Sequence, residues 1–191
     1  MTTARTKTKH PNRVPFEGVL TRLDQPSDKA PNGARGHRVL LTTAAAKAAL
    51  PTLRDMPVGF KLDFDGHNSR QRCGVITAAW IVGDELRVKG HIFGKDFPEV
   101  AEEMRKPGLM GMSYEMCDAH VQDMRASIWT LTATTFIGAA ILLRDKAAYK
   151  STSIAIQAQA TERIVLEGTV RIARKARSSS RCSPAPRRPR D

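Results

Sequence analysis

Apolar and polar residues alternate in short runs along most of the chain, a pattern typical of β-strands that bury one face. Turns rich in Gly, Pro, Asn and Asp separate the runs. The pattern predicts seven strands, at 14–23, 58–64, 74–82, 86–93, 109–116, 127–136 and 139–143. It also predicts a short strand at 39–41. The polar turn at 83–85 joins two of these strands and predicts a hairpin.

Few segments show a helical pattern. Residues 42–50 combine a capping threonine with a run of alanines, and a proline follows. Asp96 and Glu99 have the spacing of a capping box, which predicts a helix over 96–105, and a short helical turn is predicted over 145–149. Roughly seven strands with few helices predict an α+β, mainly β fold: a closed or nearly closed, antiparallel-rich β-barrel with short peripheral helices.

The charge of the chain is concentrated at its ends. Its 191 residues include 31 Lys and Arg against 19 Asp and Glu, a net charge of +12. Residues 1–15 carry +4 and 161–191 carry +6, whereas 16–160 carry only +2. We therefore predict a basic N-terminal arm (1–13), a near-neutral β-barrel domain (14–160) and a basic, largely disordered C-terminal tail rich in Ser, Pro and Arg (161–191). The chemistry is expected in the barrel.

Composition and motifs exclude several classes of protein. The three cysteines, at 73, 117 and 182, cannot make a full disulfide framework and lack the spacing of a zinc site. No apolar run reaches about 18 residues, and the basic N-terminus has no apolar stretch behind it that would make a secretory signal. No phosphate-binding glycine loop or dinucleotide fingerprint is present. The sequence predicts an intracellular protein that is not secreted and uses no cofactor and no metal.

One candidate for chemistry is His67, in the turn Asp65-Gly66-His67-Asn68 at the end of a predicted strand. A histidine in such a turn can reach the surface, and because the imidazole group titrates near neutrality it can act as a general base. The alternative is an ordinary surface histidine in a loop.

A second candidate is Ser113, within the segment 108–116, GLMGMSYEM. Alternation places Gly111, Ser113 and Glu115 on one face of the predicted strand and the methionines on the other. Gly111 leaves space beside the serine that a peptide could approach. Because a serine is a weak nucleophile unless a base takes its proton, Ser113 by itself is more typical of an ordinary strand serine.

Two other histidines are weaker candidates. His91 shares its strand face with Arg87 and Lys89, which is typical of a solvated face. His120 lies in a predicted loop three residues after Cys117. That pair could belong to a thiol nucleophile or to half a metal site, but no second pair of ligands lies nearby.

The order of these pieces resembles the prohead (capsid-maturation) serine proteases of tailed bacteriophages, whose fold is similar to that of the herpesvirus assembly proteases. The family pattern is a His-Asp or His-Asn turn, then a Gly-x-x-Gly-x-Ser segment, then a strand that leads into small residues. The resemblance covers roughly residues 14–157, and the matching positions are His67-Asn68, Gly108, Gly111, Ser113-Tyr114 and Gly138-Ala139-Ala140.

The resemblance implies a serine endopeptidase that processes phage scaffold and capsid proteins, and itself, during prohead maturation. Ser113 would attack the scissile carbonyl, and His67 would accept and return its proton. The family's third member is an acidic residue or a second histidine on the strand after the serine, but 128–136 contains neither. The alternatives are a dyad or a third member from elsewhere, namely His91, Asp65 or His120. For the oxyanion, the candidates are backbone amides near Ser113 and, in addition, Arg144.

The implied partners are the major capsid and scaffold proteins, and no membrane. A homo-oligomer, and a weak contact of the basic tail with DNA or an acidic surface, are compatible with the resemblance. The implied location is the host cytoplasm or the interior of the assembling prohead.

The net charge leaves a second class of protein open: a non-catalytic β-barrel that acts in assembly or binds nucleic acid through basic arms. Against nucleic-acid binding by the barrel, 16–160 is nearly neutral and shows no basic-aromatic stacking pattern.

Overall fold

The structure, a computed structural model, describes residues 10–157, so the predicted tail at 161–191 and most of the predicted arm at 1–13 lie outside the described residues. The fold is mainly β with few helices, as predicted. In chain order the elements are β1 (Arg13–Arg22), β2 (Arg38–Leu41), α1 (Thr43–Ala49), a 3-10 turn (Leu50–Leu53), β3 (Pro57–Phe60), β4 (Arg72–Val82), β5 (Glu85–Phe93), α2 (Pro98–Glu103), β6 (Met110–Val121), β7 (Ile128–Leu143) and β8 (Ser153–Ile156).

All eight strands belong to one sheet, in the order β2-β7-β3-β4-β5-β1-β8, with β6 also paired to β7. Strand β7 is the centre of the arrangement. It pairs in parallel with β2 and β3 and antiparallel with β6. The other four pairings, β1–β5, β1–β8, β3–β4 and β4–β5, are antiparallel. The prediction of an antiparallel-rich sheet is therefore confirmed.

The predicted closure of the barrel is wrong, because the sheet is an open, curled half-barrel. Within residues 10–157 no ladder of backbone hydrogen bonds joins β6 to β8 or β1. Side chains occupy the space between them instead. The backbone N–H of Met112 on β6 donates to Thr152 Oγ1, 3.2 Å away, and Met112 Sδ lies 3.1 Å from the position that a Cβ on Gly18 of β1 would take.

Apolar side chains from most of the strands fill the concave side of the half-barrel. On β6 the alternation runs as predicted: Met110 and Met112 are buried, and they face Leu143 and Ile141 of β7. The residues between them on β6 lie on the opposite face of the sheet. Other fully buried members of the core include Phe16, Leu20, Ile76, Leu86, Val88 and Ile92.

Several predicted boundaries are wrong, for physical reasons that involve distant residues. The strands predicted at 127–136 and 139–143 are one strand, β7, with a bulge opposite Glu115 and Met116. The strand predicted at 58–64 ends at Phe60, because Phe64 takes a positive φ of 52° and its carbonyl accepts a hydrogen bond from β7. Strand β6 runs to Val121, so His120 lies on a strand and not in a loop.

The helix predicted at 42–50 is confirmed as α1, with Thr42 Oγ1 accepting a hydrogen bond from the N–H of Ala45. The predicted capping box is wrong. Helix α2 begins after Phe97 without a side-chain cap, because Asp96 accepts a hydrogen bond from Asn12 instead. Residues 145–149 form turns and not a helix. No helix among residues 10–157 is long and apolar enough to cross a membrane.

Candidate active site

The floor of the candidate site is a row of small residues on β7 and β3. Ser113 and Glu115 of β6 face Ala140 and Gly138 of β7, and Gly59 of β3 pairs with Ala140 from the other side. Small side chains on two adjacent strands leave room above the sheet. The larger side chains that enter this space come from β6, β4 and the loop after β3.

Arg72, the first residue of β4, crosses this floor to reach Glu115. Its Nη1 donates to Glu115 Oε2 over 2.7 Å. A Cβ on Gly59 would lie 3.0 Å from Arg72 Nη1, and a Cβ on Gly138 would lie 2.9 Å from Glu115 Oε2. A side chain at either position would displace the ion pair, and it would also approach backbone, the carbonyl oxygen of Gln71 at 2.9 Å from a Cβ on Gly59 and that of Pro57 at 3.0 Å from a Cβ on Gly138.

The loop that follows β3 brings His67 to the same carboxylate. The carbonyl of Phe64 accepts a hydrogen bond from the N–H of Leu143 over 2.7 Å, which ties the loop to the end of β7. Lys61 and Asp65 form an ion pair of 2.9 Å within the loop. His67 Nδ1 then lies 3.2 Å from Glu115 Oε1. One carboxylate oxygen of Glu115 thus contacts the imidazole of His67, and the other accepts a hydrogen bond from the guanidinium of Arg72.

Glu115 is well shielded from solvent, with 12% of its side chain exposed. Burial acts to raise the pKa of Glu115, but the hydrogen bonds from His67 and Arg72 outweigh burial and hold the pKa below its ordinary value. The carboxylate is therefore ionised at neutral pH.

Ser113 stands two residues before Glu115 on the same face of β6 and is half-buried. It lines a cavity of about 750 Å³ together with His67 and Glu115. No hydrogen bond joins Ser113 Oγ to His67 within the part of the chain that the structure describes. Such contacts are often long in enzymes without substrate and shorten when the substrate binds. The cavity continues around the edge of β6 that is not paired to β7, so its wall also includes residues of the opposite face of that strand, Met112 and Tyr114, together with Trp129, Leu142 and Tyr149.

The three residues expected as partners of His67 make other contacts. Asp65 pairs with Lys61, and His91 packs edge-on against Phe93. His120 Nδ1 lies 2.8 Å from Thr132 Oγ1. Among the hydrogen bonds of residues 10–157, none links Asp65, His91 or His120 to His67.

The residue that does contact His67, Glu115, was not among the predicted partners. A signal for it was available, since alternation places Glu115 on the face of Ser113. Glu115 and His67 are 48 residues apart along the chain, so the sequence does not show that they touch. The contact forms because β3, β7 and β6 lie side by side in the sheet.

Arg144 lies just after β7, beside the segment that leads to Ser113. Its N–H donates to the carbonyl of Leu109 over 3.0 Å, and its Cα lies 3.2 Å from the position that a Cβ on Gly111 would take. Arg144 Nε is buried and has no hydrogen-bond partner among the described residues. The guanidinium of Arg144 lies beside the start of β6, with Nη1 3.9 Å from the position that a Cβ on Gly108 would take.

Neither Cys73 nor Cys117 suits nucleophilic chemistry, and no metal site is apparent in the described part of the chain. Burial raises the pKa of Cys73 to about 12. Cys117 Sγ lies 3.1 Å from Asp118, whose carboxylate raises the pKa of that thiol. Within residues 10–157 no three His, Cys, Asp or Glu side chains cluster as metal ligands would.

Comparison of the sequence with protein-family models and with curated proteins finds no match. Comparison of the fold with solved structures finds nine matching chains, and two viral proteases are among the matches. The KSHV protease, solved with a hexapeptide phosphonate inhibitor, is 13% identical with a TM-score of 0.41, over 67% of this chain and 59% of that one. The capsid assembly protease gp21 of bacteriophage T4 is 9% identical with a TM-score of 0.42, over 67% of this chain and 97% of that one.

The chain spans less than two thirds of the length of the KSHV protease. Neither similarity is close enough to transfer the role of a residue.

Proposed function

We propose that the chain is a serine endopeptidase in which Ser113 is the nucleophile, His67 the general base and Glu115 the residue that orients His67. One observation carries the proposal: an ionised, shielded carboxylate holds His67 through Nδ1 in a cavity that Ser113 also lines. When Nδ1 carries the proton it donates to Glu115, so Nε2 is left as the acceptor that a general base needs.

In the proposed reaction Ser113 Oγ attacks the carbonyl carbon of the scissile peptide while His67 Nε2 takes the hydroxyl proton. Glu115 stabilises the imidazolium that forms. His67 then gives its proton to the leaving amine as the C–N bond breaks, which leaves an acyl group on Ser113. Water then attacks this ester while His67 takes its proton. His67 passes that proton to Ser113 Oγ as the acyl C–O bond breaks, which releases the acid and restores the free serine. Backbone N–H groups near Ser113, with the cation of Arg144 nearby, are the proposed stabilisers of the oxyanion.

The proposed substrates are the scaffold and capsid proteins of a tailed phage, together with the chain itself, and the proposed setting is the assembling prohead. The order of the motifs at His67-Asn68 and at 108–114 supports this choice of substrate. The cavity that Ser113 lines is partly open to solvent, as a protein substrate would require.

Active-site labelling of the full chain with a fluorophosphonate tests the nucleophile. We expect one label, located on Ser113 by peptide mass spectrometry, and none on the Ser113→Ala variant. Ser69→Ala is the matched control, because Ser69 is an exposed serine two residues from His67 and keeps the proposed nucleophile intact. Incubation with a proteome-derived peptide library, read by mass spectrometry, then identifies the peptide that is cleaved fastest. A wild-type chain that neither labels nor cleaves contradicts the proposal.

A further inference from the structure

Arg72 makes the shortest contact to the carboxylate of the site, yet the proposed reaction does not use it. Its Nη1 lies 2.7 Å from Glu115 Oε2, whereas His67 Nδ1 lies 3.2 Å from Oε1. A charged hydrogen bond of 2.7 Å is at the short, strong end of the range for N–H donors. The hydrogen bond from Arg72 to Glu115 is therefore stronger than the contact between His67 and Glu115.

The fold keeps an unobstructed path for the Arg72 side chain. Arg72 pairs with Gly59 of β3, and its Nη1 would lie 3.0 Å from a Cβ on Gly59 and 3.6 Å from a Cβ on Gly138. Two glycines on separate strands therefore leave the space in which the guanidinium lies. At the same time the guanidinium is confined from two sides, which limits the positions that it can take above the sheet.

A shielded carboxylate needs donors on both oxygens to stay ionised and in one orientation. His67 can satisfy only Oε1, since a neutral imidazole with its proton on Nδ1 offers one donor. We propose that Arg72 is a positioning residue, which holds the ionised Glu115 in the orientation that contacts His67 Nδ1. The inference rests on the proposed function for its effect on cleavage, but the coupling between Arg72 and Glu115 can be measured without any activity.

Charged groups from several elements contact Glu115 or line its cavity. Arg72 on β4 and His67 on the loop after β3 contact the carboxylate. Asp65 of the same loop, Lys146 after β7, and Lys29 and Arg35 between β1 and β2 line the cavity. The facing residue on β7, Gly138, carries no charge. Among residues 10–157, only Arg72 and His67 donate to the carboxylate. Removal of Arg72 therefore leaves burial as the larger influence on the pKa of Glu115. The pKa of Glu115 should then rise.

The test compares Arg72→Met and Arg72→Lys with the wild-type full chain. Carbon-13 labelling of glutamate carboxyl groups follows the titration of Glu115 by NMR, and Glu115→Gln identifies its signal. We expect the midpoint to move up by about 1–3 pH units in Arg72→Met and by less in Arg72→Lys, which keeps the charge but loses the fork geometry. For the fastest-cleaved library peptide, kcat should fall by about 100-fold in Arg72→Met with KM little changed. The acid limb of the rate profile should move to higher pH.

Arg70→Gln is the matched control, because it removes the same charge from an exposed residue two positions earlier and should move neither the midpoint nor kcat. If Arg72→Met does not give a cooperative thermal transition, Arg72→Gln takes its place, since it loses the charge but keeps a donor. A folded Arg72→Met variant that loses activity with an unmoved midpoint and acid limb overturns the inference. A shifted midpoint in a protein that cleaves nothing supports the coupling and contradicts only the protease assignment.

Discussion

Replacing Gly138 with alanine should disable the site with a single methyl group. Gly138 lies under the carboxylate of Glu115, on the strand next to it. The added Cβ would lie 2.9 Å from Glu115 Oε2 and 3.0 Å from the carbonyl oxygen of Pro57. The Pro57 oxygen belongs to the backbone of β3, which is paired to β4 on one side and β7 on the other, so it cannot move easily. The carboxylate must move instead.

The size of this movement follows from the contact distances. Ordinary van der Waals contact to a Cβ begins at 3.4 Å, so Glu115 Oε2 has to retreat by about 0.5 Å. The contact from His67 to Glu115 is already 3.2 Å, at the long end of the range for an N–H···O hydrogen bond, so it should break before the 2.7 Å contact from Arg72 does. A misplacement of this order costs up to about 100-fold in kcat. The extra methyl group should also destabilise the fold by about 1–3 kcal/mol.

Steady-state cleavage of the fastest library peptide, alongside thermal unfolding, measures both effects. Gly66→Ala is the matched control: it adds the same methyl group next to His67, where nothing lies within 4 Å, and it should keep wild-type kcat. A Gly138→Ala variant that folds and retains wild-type kcat would refute the role of Glu115 in holding His67.

Three further predictions follow from the same contacts. Ser113→Ala and His67→Ala should each lower kcat by about 10⁴–10⁶-fold if the residues act as a unit, and a double variant should be no worse than either, as measured by peptide cleavage. Because the pKa of Glu115 is lowered in the folded chain, its contribution to stability is present above the ordinary glutamate pKa and is lost as the pH falls through the folded value. Urea unfolding of wild type and Glu115→Gln should therefore differ most at neutral pH and converge toward acid, and an equal gap at all pH values would contradict this. Thr42→Ala should cost about 1 kcal/mol in thermal unfolding, because it removes the cap of α1.

The strands were predictable where one face is buried, because alternation of apolar and polar residues is a local property of the sequence. The pattern at 109–116 placed Ser113 and Glu115 on one face and the methionines in the core, and the pairing of β6 with β7 confirms the buried side. The hairpin at 83–85 and helix α1 also depend only on neighbouring residues. Predicted strand boundaries were wrong where contacts with residues distant in sequence set them. One example is the end of β3, since the carbonyl of Phe64 accepts a hydrogen bond from β7.

The sequence by itself determined a mainly β domain and two candidate residues, His67 and Ser113, whose catalytic roles are still predictions. It did not determine whether the barrel closes, because closure depends on whether backbone or side chains fill the space between β6 and β8. Nor did it determine which residue holds His67. That contact requires Glu115, Gly138 and Gly59 on three adjacent strands, with Arg72 reaching across them. The acidic residue expected on 128–136 is absent, and a carboxylate from the neighbouring strand contacts the histidine instead. Only the side-by-side packing of the strands brings these groups within hydrogen-bond distance.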